Sequence, residues 1–102
     1  MKILTFEDFA ALPPGTLFSY YEPTICSGLY RKGKTLLNTE ALDQGQPFDY
    51  FETSLIPMSW DYEEPPTLEA VESRWGEYET GQLYAVLEPA DIETLRRLLP
   101  PA

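Results

Sequence analysis

The sequence contains no histidine and only one cysteine, Cys26. Histidine is the commonest general base and a common zinc ligand, so its absence excludes Ser-His-Asp triads, zincin motifs and histidine proton shuttles. A single thiol excludes an intramolecular disulfide, a thiolate zinc site and a cysteine-ligated cluster within one chain. We therefore expect a protein that is not an enzyme and needs no cofactor.

Basic residues are also scarce, with 7 Lys and Arg against 17 Asp and Glu and a net charge of -10. This balance disfavours direct binding to nucleic acid or to an anionic membrane. No apolar segment is long enough for a signal peptide or a membrane span. Because an unpaired thiol suits a reducing compartment, we expect a cytoplasmic protein.

The chain is 102 residues long, which predicts a single domain over residues 1–102. Apolar residues make up 43% of the chain and aromatic residues 14%, enough to build a core. The order of predicted elements indicates an α+β fold. We expect a mostly antiparallel sheet of about four to five strands, a short N-terminal helix and a C-terminal helix.

In the first half of the chain, Thr5 and Asp8 have capping-box spacing at the start of a predicted helix over residues 6–11. Phe6, Phe9 and Ala10 would share one face of that helix. Residues 16–21 have strand character, and residues 29–31 and 35–37 flank Lys32, Gly33 and Lys34. This arrangement predicts a tight hairpin in which the glycine supplies a positive φ.

In the second half, residues 48–55 and 83–87 have strand character, and the second strand is apolar on both faces, as a central strand should be. Thr67 could cap a helix bearing Leu68, Val71 and Trp75, ending at Gly76. The clearest element is a helix from Pro89, in which Glu93 can pair with Arg97. Its apolar stripe comprises Ile92, Leu95, Leu98 and Leu99.

The negative charge is concentrated in one part of the sequence. Residues 39–80 contain eleven acidic residues and one base, Arg74, whereas residues 1–34 sum to +1. Aromatic side chains lie among these acids and would supply contact area while the carboxylates steer a partner. We therefore predict a docking face for a basic protein, formed by Trp60, Asp61, Tyr62, Glu63, Glu64, Trp75, Glu77 and Glu79.

Other interpretations of the same residues stay open. The acids could form only a solvated surface, or they could imitate the phosphate array of DNA. Five strand tyrosines could line a small-molecule pocket, and exposed aromatics could join copies of the chain in a homo-oligomer or virion.

Asp49 and Glu52 should point to opposite faces of their strand. Arg31, Lys32 and Lys34 would form a basic hairpin tip.

Several local patterns resemble small uncharacterised proteins encoded by phages and prophages. These are residues 12–16 before an aromatic strand, residues 28–33, residues 49–57 and residues 88–91 at the last helix. The resemblance implies a bacterial or phage accessory protein of the cytoplasm and assigns no activity. Small acidic proteins of that kind are often inhibitors of host factors, which agrees with a docking face.

Overall fold

A computed structural model describes residues 1–37, 42, 45–56, 68, 72–75 and 81–101. Over these ranges the chain forms an α+β fold, as the sequence predicts, with one antiparallel sheet and two helices. The elements are β1 (Lys2–Thr5), α1 (Phe6–Ala10), β2 (Leu17–Glu22), β3 (Ile25–Leu37), β4 (Pro47–Ser54), β5 (Glu72–Trp75), β6 (Leu83–Val86) and α2 (Pro89–Leu98).

The described residues form six strands in the order β1-β6-β2-β3-β4-β5, and every adjacent pair is antiparallel. This is slightly more than the four to five strands expected from the sequence. The apolar strand β6 lies between β1 and β2, which confirms its predicted central place. The edge strands β1 and β5, of four residues each, are the two that the sequence did not predict as strands.

The predicted hairpin at Lys32–Lys34 is wrong, because these residues lie inside the single long strand β3. The true turn joins β2 to β3, where Thr24 has a φ of 76°. Gly33 lies instead in a bulge of β3, between the aligned pairs Lys32–Glu52 and Thr35–Tyr50 of the β3–β4 ladder. A Cβ atom at Gly33 would lie 2.9 Å from the Cβ of Phe51, so glycine is required there by lack of space.

The helix predicted from Thr67 is wrong where the structure describes its residues. Glu72–Trp75 form strand β5, in which Trp75 is aligned with Tyr50 and Glu72 with Thr53. The helical spacing rested on three apolar residues, too few to outweigh pairing with a neighbouring strand. Val71 and Gly76, which belonged to the same prediction, lie outside the described residues.

Helix α1 buries Phe6, Phe9 and Ala10 on one face, as predicted. The expected cap is absent, since the Thr5 side chain makes no capping hydrogen bond. The other end of the helix is capped instead, because Thr35 Oγ1 donates to the carbonyl oxygen of Ala10 at 2.7 Å. That bond satisfies one of the carbonyls that a helix end leaves unpaired, and it ties α1 to β3.

The core is a cluster of aromatic rings between α1 and one face of the sheet. The Phe9 ring lies parallel to that of Tyr84, with centroids 4.0 Å apart. It also meets Phe18 at 4.6 Å and Tyr50 at 5.2 Å in edge-to-face contacts. These arrangements are the ones that aromatic quadrupoles favour, so one side chain of α1 joins strands β2, β4 and β6.

Helix α2 begins at Pro89, as predicted, and Asp91 Oδ2 accepts a hydrogen bond from the Glu88 amide at 2.8 Å. The same carboxylate lies 2.6 Å from the Met1 ammonium, which lowers the pKa of Asp91. The predicted Glu93–Arg97 pair does not form, and Arg97 donates to Thr94 Oγ1 at 3.2 Å. No residue of α2 is buried.

Replacing Phe9 with alanine should test the importance of the aromatic cluster. We expect Phe9→Ala to lower the free energy of unfolding by about 3–5 kcal/mol, because it leaves a cavity where three strands meet. The matched control is Phe48→Ala at a side chain 41% exposed, which should cost about 1 kcal/mol or less. Equal losses in urea unfolding for the two variants would contradict this account of the core.

Candidate functional site

The predicted docking residues fall largely outside the described part of the chain. Trp60, Asp61, Tyr62, Glu63, Glu64, Glu77 and Glu79 lie there, and their predicted role stays a prediction. The backbone of Trp75 is described and belongs to edge strand β5, at the end aligned with Tyr50 of β4. The structure therefore shows which strands carry the acidic stretch, rather than the surface that it forms.

The described residues are close to electrically balanced, with nine acids and seven bases. The remaining residues carry eight acids and no base, so they account for eight of the ten net negative charges. They belong to the stretches that connect β3 to β4, β4 to β5 and β5 to β6. These acids are Glu40, Asp43, Asp61, Glu63, Glu64, Glu69, Glu77 and Glu79.

Two acids of the 39–80 stretch are buried and cannot contribute to a docking face. The first is Asp49, whose Oδ2 lies 2.6 Å from Arg74 Nε and whose Oδ1 accepts the Tyr50 amide at 2.8 Å. The Arg74 guanidinium is half exposed and lies 5.7 Å from the centre of the Phe48 ring. This ion pair fastens edge strand β5 to β4 beyond the backbone ladder.

The second buried acid is Glu52, which ends a chain of hydroxyl hydrogen bonds. Tyr20 Oη donates to Glu52 Oε2 at 2.5 Å. Since the Tyr20 proton is used there, the 2.5 Å contact between the Tyr20 and Tyr50 hydroxyls has Tyr50 as its donor. Asp49 and Glu52 thus contact different partners, Arg74 and Tyr20, in agreement with the alternation predicted for their strand.

Burial controls the protonation of this network. Loss of hydration raises the pKa of Glu52, because the charged carboxylate is disfavoured away from water. The same cause raises the pKa of both Tyr20 and Tyr50 far above the ordinary phenol value. The two phenols therefore remain hydrogen-bond donors across the physiological range, and the network links β2 to β4 across the intervening strand β3.

Lys32 is also buried, which corrects its predicted place in an exposed basic tip. Its ammonium donates to Thr35 Oγ1 at 2.7 Å and to the Gly33 carbonyl at 3.1 Å. It lies 5.8 Å from the centre of the Phe9 ring, and burial lowers the pKa of Lys32. Arg31 and Lys34 are exposed, so the predicted group of three cations is divided between core and surface.

An open groove of about 460 Å³ lies beside α1 and the first residue of β4. Its walls are apolar apart from a carboxylate, a hydroxyl and an amide, and they comprise Glu7, Ala10, Ala11, Thr35, Leu37, Gln46 and Pro47. The tyrosines predicted as a ligand pocket do not line this groove. Tyr20, Tyr30, Tyr50 and Tyr84 pack as part of the ring cluster instead.

Glu52→Gln should change the pH dependence of stability. The folded protein holds the Glu52 proton more tightly than the unfolded chain, in which the Glu52 pKa has its ordinary value of 4.5. The stabilisation that Glu52 contributes is therefore fully present below pH 4.5 and is lost as the pH rises through the pKa of Glu52 in the folded protein. We expect the variant to gain stability relative to wild type as the pH rises above 4.5, as measured by urea unfolding. Exposed Glu22→Gln is the control, and a parallel profile for both variants would refute the effect.

Removing the partner of Asp49 should destabilise the β4–β5 contact. We expect Arg74→Met to cost about 1–3 kcal/mol, because it leaves a buried carboxylate without its cation. Adding Asp49→Asn to that variant should recover part of the loss, since the remaining buried group is then neutral. A double-mutant cycle in urea unfolding measures this coupling, and strictly additive losses would show that the pair contributes nothing.

Within the described ranges, no three acidic, cysteine or histidine side chains are grouped as a metal site requires. Neither described helix has the length and apolar character needed to cross a bilayer. Comparison with family models, curated proteins and solved structures gives no match.

Proposed function

We propose that this protein is a non-enzymatic binding protein that docks on a basic protein through residues 39–80. The observation that carries the proposal is the concentration of negative charge in one part of the sequence. Residues 39–80 hold eleven acids and one base, Arg74, whereas residues 1–34 sum to +1. A stable fold does not require this concentration, because the same charges spread evenly over the surface would keep the chain equally soluble.

The uncompensated acids would act first at long range. Carboxylates that have no basic neighbours along the chain produce a negative potential that draws a positively charged partner and orients it. Asp49 and Glu52 are buried, so these two carboxylates do not belong to the candidate surface. The steering residues in this proposal are Asp61, Glu63, Glu64, Glu77 and Glu79.

Contact area would come from the aromatic residues among these acids. Trp60, Tyr62 and Trp75 supply large side chains that resemble the anchors of known protein interfaces. Trp75 lies in β5, which is bound to β4 both by its ladder and by the Arg74–Asp49 ion pair. This attachment of β5 reduces the ordering cost that binding through Trp75 must overcome.

A partner of this kind could be a nucleic-acid-binding protein of a bacterial host. An acidic protein that occupies the basic surface of such a partner would inhibit it, and the carboxylates would then take the place of phosphates. This is a narrower form of the same proposal, and competition by duplex DNA for a purified partner would distinguish it. The proposal itself requires only a basic, partly apolar surface.

The test compares two variants of equal charge. Asp61→Asn/Glu63→Gln/Glu64→Gln removes three acids of the candidate surface, and Asp8→Asn/Glu7→Gln/Glu22→Gln removes three exposed acids elsewhere. The probe is a fluorescent synthetic peptide of lysine, arginine, leucine and tryptophan, followed by anisotropy. We expect the first variant to bind about tenfold more weakly than wild type at low salt, and the control to change far less.

A salt series separates steering from general charge attraction. Wild-type affinity should fall as ionic strength rises, and the first variant should show a shallower dependence. Trp60→Ala should weaken binding at every salt concentration, because it removes contact area rather than charge. Equal loss in the two charge variants would mean that net charge alone attracts the peptide, and the docking proposal would then be abandoned.

A further inference from the structure

The core contains two ionisable side chains that lie side by side without pairing. Lys32 of β3 and Glu52 of β4 are aligned in the antiparallel ladder, and both are buried. Aligned residues of an antiparallel pair project to the same face of the sheet, with Cβ atoms about 5 Å apart. Among the described residues, however, neither of the two takes part in an ion pair. Each group is bonded instead to neutral partners.

Lys32 is bonded towards the end of helix α1. Its ammonium donates to Thr35 Oγ1 at 2.7 Å and to the Gly33 carbonyl at 3.1 Å, and Thr35 donates in turn to the Ala10 carbonyl. An ammonium group has three donors, and these two bonds use only two of them. A buried cation therefore lacks both a counter-ion and one acceptor within the part of the chain that the structure describes.

Glu52 is surrounded by phenols, and its one cationic neighbour is Lys32, the only buried base among the described residues. Glu7 and Asp8 of α1 and Glu72 of β5 are exposed, and Arg74 of β5 is bonded to Asp49. The titratable groups that surround the carboxyl group are Tyr20 of β2, Tyr30 and Lys32 of β3, Asp49 and Tyr50 of β4 and Tyr84 of β6.

We propose that Lys32 and Glu52 form a pH-sensitive switch, in which Lys32 leaves Thr35 and binds Glu52 once the carboxyl group has released its proton to solvent. A protonated Glu52 is neutral and offers the ammonium no ion pair, so Lys32 stays on Thr35 as the structure describes it. An ionised Glu52 is a buried charge, which is strongly unfavourable without a cation. Rotation of the two side chains brings them together, because their Cβ atoms are already adjacent.

Burial separates the two states along the pH scale. Loss of hydration raises the pKa of Glu52 above its ordinary 4.5 and lowers the pKa of Lys32 below its ordinary 10.5. Below the Glu52 pKa the carboxyl group is neutral and Lys32 remains on Thr35. Between the two pKa values both groups are charged and the ion pair forms. A rise in pH through the Glu52 pKa therefore changes the partner of Lys32.

The exchange alters the attachment of α1. While Lys32 donates to Thr35, the hydroxyl that bonds the Ala10 carbonyl is polarised by a charge, which strengthens that bond. Departure of Lys32 removes this support. Ala10 and Thr35 also line the groove of about 460 Å³ beside α1, so protonation in the core is connected to the shape of a surface groove.

The first test uses the unchanged protein in an NMR pH titration of the Glu52 carboxyl carbon and the Lys32 ammonium nitrogen. We expect the Lys32 signal to change at the Glu52 midpoint, while exposed Lys34 does not respond. The Leu12 amide, which donates to the Phe9 carbonyl, should lose hydrogen-exchange protection several-fold above that midpoint. A Lys32 signal that is constant through the midpoint would overturn the proposal. So would a Glu52 that stays protonated until the protein unfolds.

Two substitutions should move the Glu52 midpoint in opposite directions. Lys32→Met removes the cation that stabilises the carboxylate, so the midpoint should rise by about one pH unit or more. Thr35→Val removes the alternative partner of Lys32, so the midpoint should fall by about one pH unit. Thr53→Val is the matched control, because it removes a buried hydroxyl beside Glu52 on the other face of β4. Circular dichroism checks that each variant folds.

The Thr35→Val result separates the switch from a fixed arrangement. A lysine that never changes partner would leave the Glu52 midpoint of Thr35→Val equal to that of wild type and of Thr53→Val, and the exchange would then be refuted. A lower midpoint in Thr35→Val alone, together with a Lys32 signal that follows Glu52 in wild type, is the result that the switch requires.

Discussion

The packing of Phe9 against the sheet is the interaction on which the rest of the structure depends. Helix α1 has only five residues, too few to be stable alone, yet its Phe9 ring meets Phe18, Tyr50 and Tyr84 from three strands. These strands are separated by up to 66 positions in sequence. The ring therefore joins long-range pairings that have no local connection with one another, and it determines which face of the sheet becomes the core.

A core that contains tyrosines places polar hydroxyl groups away from water, and each buried polar group then needs a hydrogen-bond partner. Two short hydrogen-bond chains meet that requirement for five of the buried or half-buried groups. One runs from Tyr50 through Tyr20 to Glu52, and the other from Lys32 through Thr35 to the end of α1. Both chains join elements that are distant in sequence, so they add direction to packing that is otherwise non-directional. A cross-strand pair, Lys32 and Glu52, is thus buried with each member bonded elsewhere.

The sequence predicted the elements whose pattern is local and complete. The buried face of α1, the strand β4, the central β6 and the proline start of α2 all follow from side-chain periodicity and turn residues. The wrong hairpin was predicted from Gly33, but glycine is needed there because Phe51 leaves no room for a side chain. The wrong helix at Glu72–Trp75 was predicted from the spacing of three apolar residues, but these positions pair with β4. The charge concentration in 39–80 was visible in the sequence. The burial of Asp49 and Glu52 was not, because Arg74 and Tyr20 lie 25 and 32 residues away.

The tyrosine network also gives the fold an alkaline limit. Tyr20 and Tyr50 keep their protons in the folded protein well above the value of 10.0 at which an exposed phenol ionises. Their contribution to stability is fully present below that value and is lost as the pH rises further, since only the unfolded chain can release these protons. Strong base therefore acts on this protein as a denaturant, and phenolate absorbance from the two residues would report the opening of the core itself.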